Sequence, residues 1–211
     1  MNQLVMMLKQ IQKNGRLNCT YGKSCTKRLG LLFACICAIV SVCFVEPALG
    51  QAQADEYQVK AAFLFHFAQL VDWPSSAFTA NNNALVLCTY GDDPFHGELE
   101  KMIQGKQIGS RSIQVKHLKQ TEDVHSCQIV FVSKGVSKYV PALLTNVGDA
   151  PIMTIGETGN FVEYGGVIGF CMDEDKIRFE VNLQSAERSK LKISSRLLLL
   201  AKTVVGSSEQ R

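Results

Sequence analysis

The chain has 211 residues, 46% of them hydrophobic, with 22 Lys and Arg against 19 Asp and Glu, and 8 Cys. At ~150 residues per domain this length allows one domain with an appendage, and so apolar a composition excludes a disordered chain. The net charge of +3 is too small for a nucleic-acid binder, and it is local: residues 1–50 carry six bases and one acid, leaving 16 bases and 18 acids in residues 51–211.

In chain order, Lys27-Arg28 precede an uncharged run from Leu29 to Val45, followed by Glu46-Pro47 and Ala48-Leu49-Gly50. A basic flank, an apolar stretch, a helix breaker and small residues at alternate positions form a secretory signal. Residues 1–50 therefore read as a signal peptide, cut after Gly50 or Ala54, with an uncleaved anchor as the alternative. Both readings place the single domain, residues 51–211, outside the inner membrane. Cys19, Cys25, Cys35, Cys37 and Cys43 fall in the leader, so the domain keeps Cys88, Cys127 and Cys171. An odd count in an exported domain implies one bridge and one lone thiol, with three pairings open.

Asp55 to Val71 has a wide apolar face and reads as an amphipathic helix, ended by Trp73-Pro74. Ala84–Cys88 is a buried strand. A helix runs from near Pro94 to Ile103, capped by Asp92 or Asp93. Short alternating stretches follow at Lys106–Ile108 and Ser112–His117. Thr121–His125 reads as a short helix, Gln128–Ser133 as a strand, Ser137–Val147 as a helix and Pro151–Ile155 as a strand. Alternating strands and helices predict a layered αβα architecture with a mainly parallel central sheet. Val167–Met172 and Lys176–Asn182 then form a β-hairpin around Asp173-Glu174-Asp175. Ser185–Lys190 is a helical turn. Arg196–Val205 is a last helix, apolar nearly all round and so expected to be buried or shared with another subunit.

Candidate chemistry is sparse. The four His are scattered: His66 reads as a partly buried structural imidazole, and His96 with Glu98 as solvated neighbours of a cap. Zinc spacing, the H-E-x-x-H and G-x-S-x-G motifs and a phosphate loop are all missing, so no catalytic residue, cofactor or metal is expected. Arg178, Glu180 and Asn182 share one face of a strand. They read either as an exposed face with a cross-neighbour ion pair or as a polar recognition row expected to lie near Ser194, Ser195 and Arg196 at the start of the last helix.

Asp55–Ala62 with Trp73-Pro74, Pro151–Phe161, Gly165–Phe170, Ile177–Asn182 and Leu191–Ala201, in this order, resemble the YfiR family over about residues 55–204. The resemblance implies a periplasmic, non-catalytic, dimerising α/β protein. It would repress a membrane-bound diguanylate cyclase by binding that enzyme's periplasmic sensor domain, keeping cyclic di-GMP and biofilm formation low until reducing or envelope stress relieves it. It also implies that Cys88 and Cys127 are bridged, a closure worth about 4 kcal/mol in the chain-entropy model. The second Cys pair of some members is not present here; only Cys171 lies near the hairpin. Because similar domains occur beside sensor kinases, the alternative is a small-ligand receptor in which Arg178 and Arg196 clamp an anion.

Overall fold

The computed structural model describes residues 48–78 and 83–206. Residues 1–47 of the expected leader, with its five cysteines, lie outside them. Helix α1 (Ala48–Gln69) leads into β1 (Val71–Asp72), which pairs antiparallel with β9 (Lys192–Ile193). The remaining strands form one eight-stranded sheet: β2 (Leu85–Tyr90), β3 (Gln107–Ile108), β4 (Arg111–Leu118), β5 (Ile129–Val132), β6 (Met153–Gly156), β7 (Ile168–Asp173), β8 (Lys176–Asn182) and β10 (Thr203–Val205). Their spatial order is β10-β8-β7-β6-β5-β2-β4-β3, parallel at β10–β8 and from β7 through to β4, and antiparallel at β7–β8 and β3–β4. The expected layered, mainly parallel sheet with its C-terminal hairpin is what forms.

Alternation along the central strands builds two cores. Leu85 and Leu87 of β2 and Ile129 and Phe131 of β5 pack beneath α1 and α2 (Glu98–Ile103). Val86, Cys88, Val130 and Val132 face the other way, under α3 (Val140–Val147). Both faces are covered, so these strands are continuous apolar runs. The first core is aromatic: Phe67 lies 4.9 Å from Phe179 and Phe95 lies 4.9 Å from Phe131, both edge to face. Each such burial is worth roughly 1.5–3 kcal/mol. The second core holds the Cys88–Cys127 disulfide, whose cysteines are 39 positions apart in the chain. Cys171 remains a free thiol.

The hairpin turn is tight because Glu174 and Asp175 both adopt positive φ, 46° and 61°. That is the type I′ geometry matching the twist of the flanking strands. After it, α4 (Leu183–Arg188) leads into β9, and α5 (Ser195–Leu200) into β10.

Four local expectations change. Thr121–His125 forms turns. Asp123 Oδ1 accepts from His125 N, the amide that would close a helical turn onto Thr121. The helix expected from Pro94 starts at Glu98: Asp93 Oδ1 accepts from Phe95 N as a cap would, but His96 and Gly97 take positive φ, 50° and 86°, and break the turn. The last helix stops at Leu200, and Thr203–Val205 instead adds a parallel strand to β8. Its leucines are not all buried: Leu197 is, but Leu199 and Leu200 are 85% and 60% exposed. His66, expected to be partly buried, is exposed and bonds Gln69.

Candidate functional site

In an open α/β sheet, ligands collect beyond the carboxyl ends of the strands, where the strand order reverses. Here that point lies between β2 and β5, and it is filled. Gly91, just after β2, has φ +97°, and a Cβ there would meet Val136 Cγ1 and Ser133 Oγ at 2.7 Å. The chain's own valine occupies the crevice.

The open cleft is one strand further along, at the end of β6. Glu157 follows Gly156 directly, and its side chain is 4% exposed. It accepts from Tyr57 Oη at 3.1 Å, from Lys60 Nζ at 2.5 Å and from the Lys134 backbone amide at 2.7 Å. One carboxylate thus joins α1, the turn after β5 and the end of β6. Lys60 is as deeply buried and also pairs with Glu56, one helical turn earlier, at 2.5 Å. Its ammonium lies 4.5 Å from the Tyr57 ring centroid and 5.9 Å from that of Phe170. Burial, and then the Glu157 charge, push the Tyr57 hydroxyl pKa well above its usual value.

A cavity of about 350 Å³ opens over this group, walled by Phe170, Cys171, Met172 and Ile177 of the hairpin. A second, of about 670 Å³, shares Glu56, Met172 and Ile177 with it and continues along Val59 and Phe63. Burial raises the pKa of the Cys171 thiol, and the Glu180 charge adds to this.

Sequence reasoning did not single out Tyr57, Lys60 or Glu157. The signal for Lys60 was its place on the apolar stripe with Ala61, Leu64 and Phe67, since a charge on a buried face needs a partner. For Glu157 it was a carboxylate directly after a buried parallel strand.

The residues that were singled out are placed as follows. Arg178 and Glu180 project from β8 on the side opposite Phe179 and Val181, with Arg178 registered against Cys171. Asn182 is engaged: its Oδ1 accepts from Ser185 N at the start of α4, and its Nδ2 donates to Val162 O. Ser194 caps α5 by accepting from Arg196 N, and its own amide donates to Leu70 O. Ser195 and Arg196 are exposed. Among the described residues no hydrogen bond or ion pair joins the β8 row to Ser194, Ser195 or Arg196.

The scattered histidines conceal one relay. His117 Nδ1 lies 2.8 Å from Thr89 Oγ1, and its Nε2 lies 2.8 Å from Glu100 Oε1. Thr89 is fully buried, so its hydroxyl cannot meet a substrate, and the relay ties α2 to β2 and β4. Among the described residues no group of three or more His, Cys, Asp and Glu side chains is placed to hold a metal. No helix among them is long and apolar enough to cross a membrane.

Comparison with known proteins gives a family and two distant structures. No curated protein matches the chain. A conserved domain protein from Vibrio cholerae O1 biovar El Tor is 12% identical with a TM-score of 0.47, over 68% of this chain and 59% of that one. An ABC domain in complex with L-Trp from Streptococcus pneumoniae is 11% identical with a TM-score of 0.45, over 62% of this chain and 57% of that one. The chain thus spans less than two thirds of either protein. The family model described as YfiR/HmsC-like (DUF4154) matches residues 57–202, so the chain belongs to that family.

Proposed function

Because the chain belongs to the YfiR/HmsC-like family, we propose that it is a periplasmic regulator acting by contact with a membrane sensor protein. It binds the periplasmic sensor domain of a membrane-bound diguanylate cyclase and holds that enzyme inactive, so cyclic di-GMP and biofilm formation stay low. The observation that carries this reading is the family match over residues 57–202. Residues 1–50 serve as the export signal, or as an anchor if retained. The working form is a homodimer, for which the exposed Leu199 and Leu200 supply apolar surface. Arg178 and Glu180, with Asn182 behind them, and Ser194, Ser195 and Arg196 supply polar contacts to the partner.

Repression requires tighter binding to the inactive sensor than to the active one, since equal affinity shifts nothing. The Cys88–Cys127 bridge makes the repressor redox-sensitive: its loss lowers stability and frees the partner. Co-expression with a membrane cyclase tests the reading, with cyclic di-GMP measured. Deleting this chain should raise the nucleotide, and restoring the wild-type chain, but not Cys88→Ser, should lower it. An unchanged level on deletion refutes repression.

The Lys60–Glu157 cleft supports a second reading, a small-ligand receptor feeding a membrane sensor kinase. Charged Glu56, Lys60 and Glu157 face apolar Phe170, Met172 and Ile177 across it, and its two cavities, of about 350 and 670 Å³, fall within the ~300–1,000 Å³ of ordinary ligand sites. A thermal-shift screen that finds saturable ligands lost on substitution in the cleft favours this reading.

A further inference from the structure

The geometry points to a single-chain carboxylate amphiphile as the ligand of the Lys60 cleft, an inference that rests on the receptor reading. Lys60 pairs with two carboxylates of unequal hold. Glu157 is 4% exposed and fixed by three donors, two from α1 and one from the turn after β5. Glu56 is 37% exposed and holds Lys60 only through an i,i+4 pair on the helix surface, an interaction of small net worth. Glu56 is therefore the partner that can be exchanged.

Charge favours an anion as its replacement. The charged residues lining the two cavities are Glu56, Lys60, Lys134, Glu157, Asp175 and Lys176, three of each sign. With Glu56 turned into solvent the lining is left with one excess positive charge, centred on a buried ammonium. A ligand carboxylate can take the place Glu56 leaves, with no change in the number of charge-assisted hydrogen bonds made by Lys60.

The tail follows from the second cavity. It adjoins the first at Glu56, Met172 and Ile177, and continues over Val59 and Phe63. Val59 and Met172 are 45% and 57% exposed, so an alkyl chain lying there covers apolar surface that water now meets. Head and tail sites are contiguous, and their order fixes the ligand's direction. The carboxylate goes toward β6 and the chain runs out along α1 and the hairpin.

The test is calorimetric titration of the purified protein with dodecanoate, 1-dodecanol, butanoate and dodecylamine, each below its aggregation concentration. Dodecanoate should bind saturably at one site. Dodecanol should bind about tenfold more weakly, the cost of one charge-assisted hydrogen bond, and butanoate should not bind detectably. Glu56→Gln, which removes the competing carboxylate, should tighten dodecanoate. Val59→Asp, at an exposed position and checked by its melting curve, should weaken dodecanoate about tenfold. Dodecanol matching dodecanoate, or affinity indifferent to both substitutions, overturns the inference. If dodecylamine binds and Val59→Asp weakens it, the receptor reading stands and the carboxylate assignment falls. If none of the four binds, both fall.

Discussion

Replacing Glu157 by Gln should cost about 3 kcal/mol. The side chain is 4% exposed and accepts from Tyr57, Lys60 and Lys134 N. Glutamine keeps the shape but loses the charge, and turns an NH₂ toward a donor. Removing one partner of a buried ion pair typically costs about 3–5 kcal/mol, because the surviving charge stays buried. Glu56 still holds Lys60, which places the value at the low end. For a domain of this size about 3 kcal/mol lowers the melting temperature by about 6–12 °C.

Urea denaturation gives the free energy directly, provided the slope of the transition is unchanged. Two companions sharpen the result. Glu56→Gln should cost no more than about 1 kcal/mol, because its side chain is partly solvated. The double variant Lys60→Met/Glu157→Gln should recover most of the loss, since no buried charge is then left unpaired and the glutamine oxygen still accepts from Lys134 N. A Glu157→Gln loss below about 1 kcal/mol, or a double variant as unstable as the single, would show that Lys60 is not held as described.

Three further outcomes follow from the geometry. Cys88→Ala/Cys127→Ala should lose about 4 kcal/mol on unfolding without reductant, from opening a loop of 39 residues; an equal midpoint for both proteins would contradict it. The raised Tyr57 pKa makes folded tyrosine keep its proton where unfolded tyrosine ionises. Its stabilisation is therefore complete below the unfolded value near 10 and is lost as pH rises beyond it. The denaturation midpoint should fall above about pH 10, less steeply in Tyr57→Phe, with Tyr90, also raised by burial, keeping part of the slope. Cys171, whose thiol burial pushes up, should react with iodoacetamide more slowly at neutral pH than cysteine in a short peptide. An equal rate, followed by mass spectrometry, would contradict the environment described for it.

The sheet was legible because its strands carry their own evidence. Leu85–Tyr90 and Ile129–Val132 are buried on both faces, and Lys176–Asn182 alternates cleanly up to a two-residue turn. The last segment misled because Leu197–Leu200 is apolar on every side. Ridge packing uses only part of that surface, and Lys202 N instead donates to Phe179 O, starting a strand. The Thr89–His117–Glu100 relay could not be read from spacing, because strand register brings Thr89 and His117 together across 28 positions. The Lys60–Glu157 pair spans 97 positions, and only its half on α1 left a local trace, a lysine in an apolar stripe. Arg178 and Glu180 were placed on one strand face correctly from the period of two. Their relation to Ser194–Arg196 depends on the path through α4 and β9, which no pattern encodes.

The stretch from Gly156 to Gly166 shows what its glycines are for. A Cβ at either end would lie within 2.1 Å of the Phe161 ring, which sits between the two backbones and is itself 1% exposed. Glycines after a parallel strand usually invite a search for a bound phosphate, whereas these make room for a benzyl group from the same loop. The loop therefore behaves as a wedge driven into the sheet's end, with Glu157 as its head. Any chain that drifts at Gly156, Phe161 or Gly166 must move the carboxylate with it, so descent should preserve these three positions together or exchange them together.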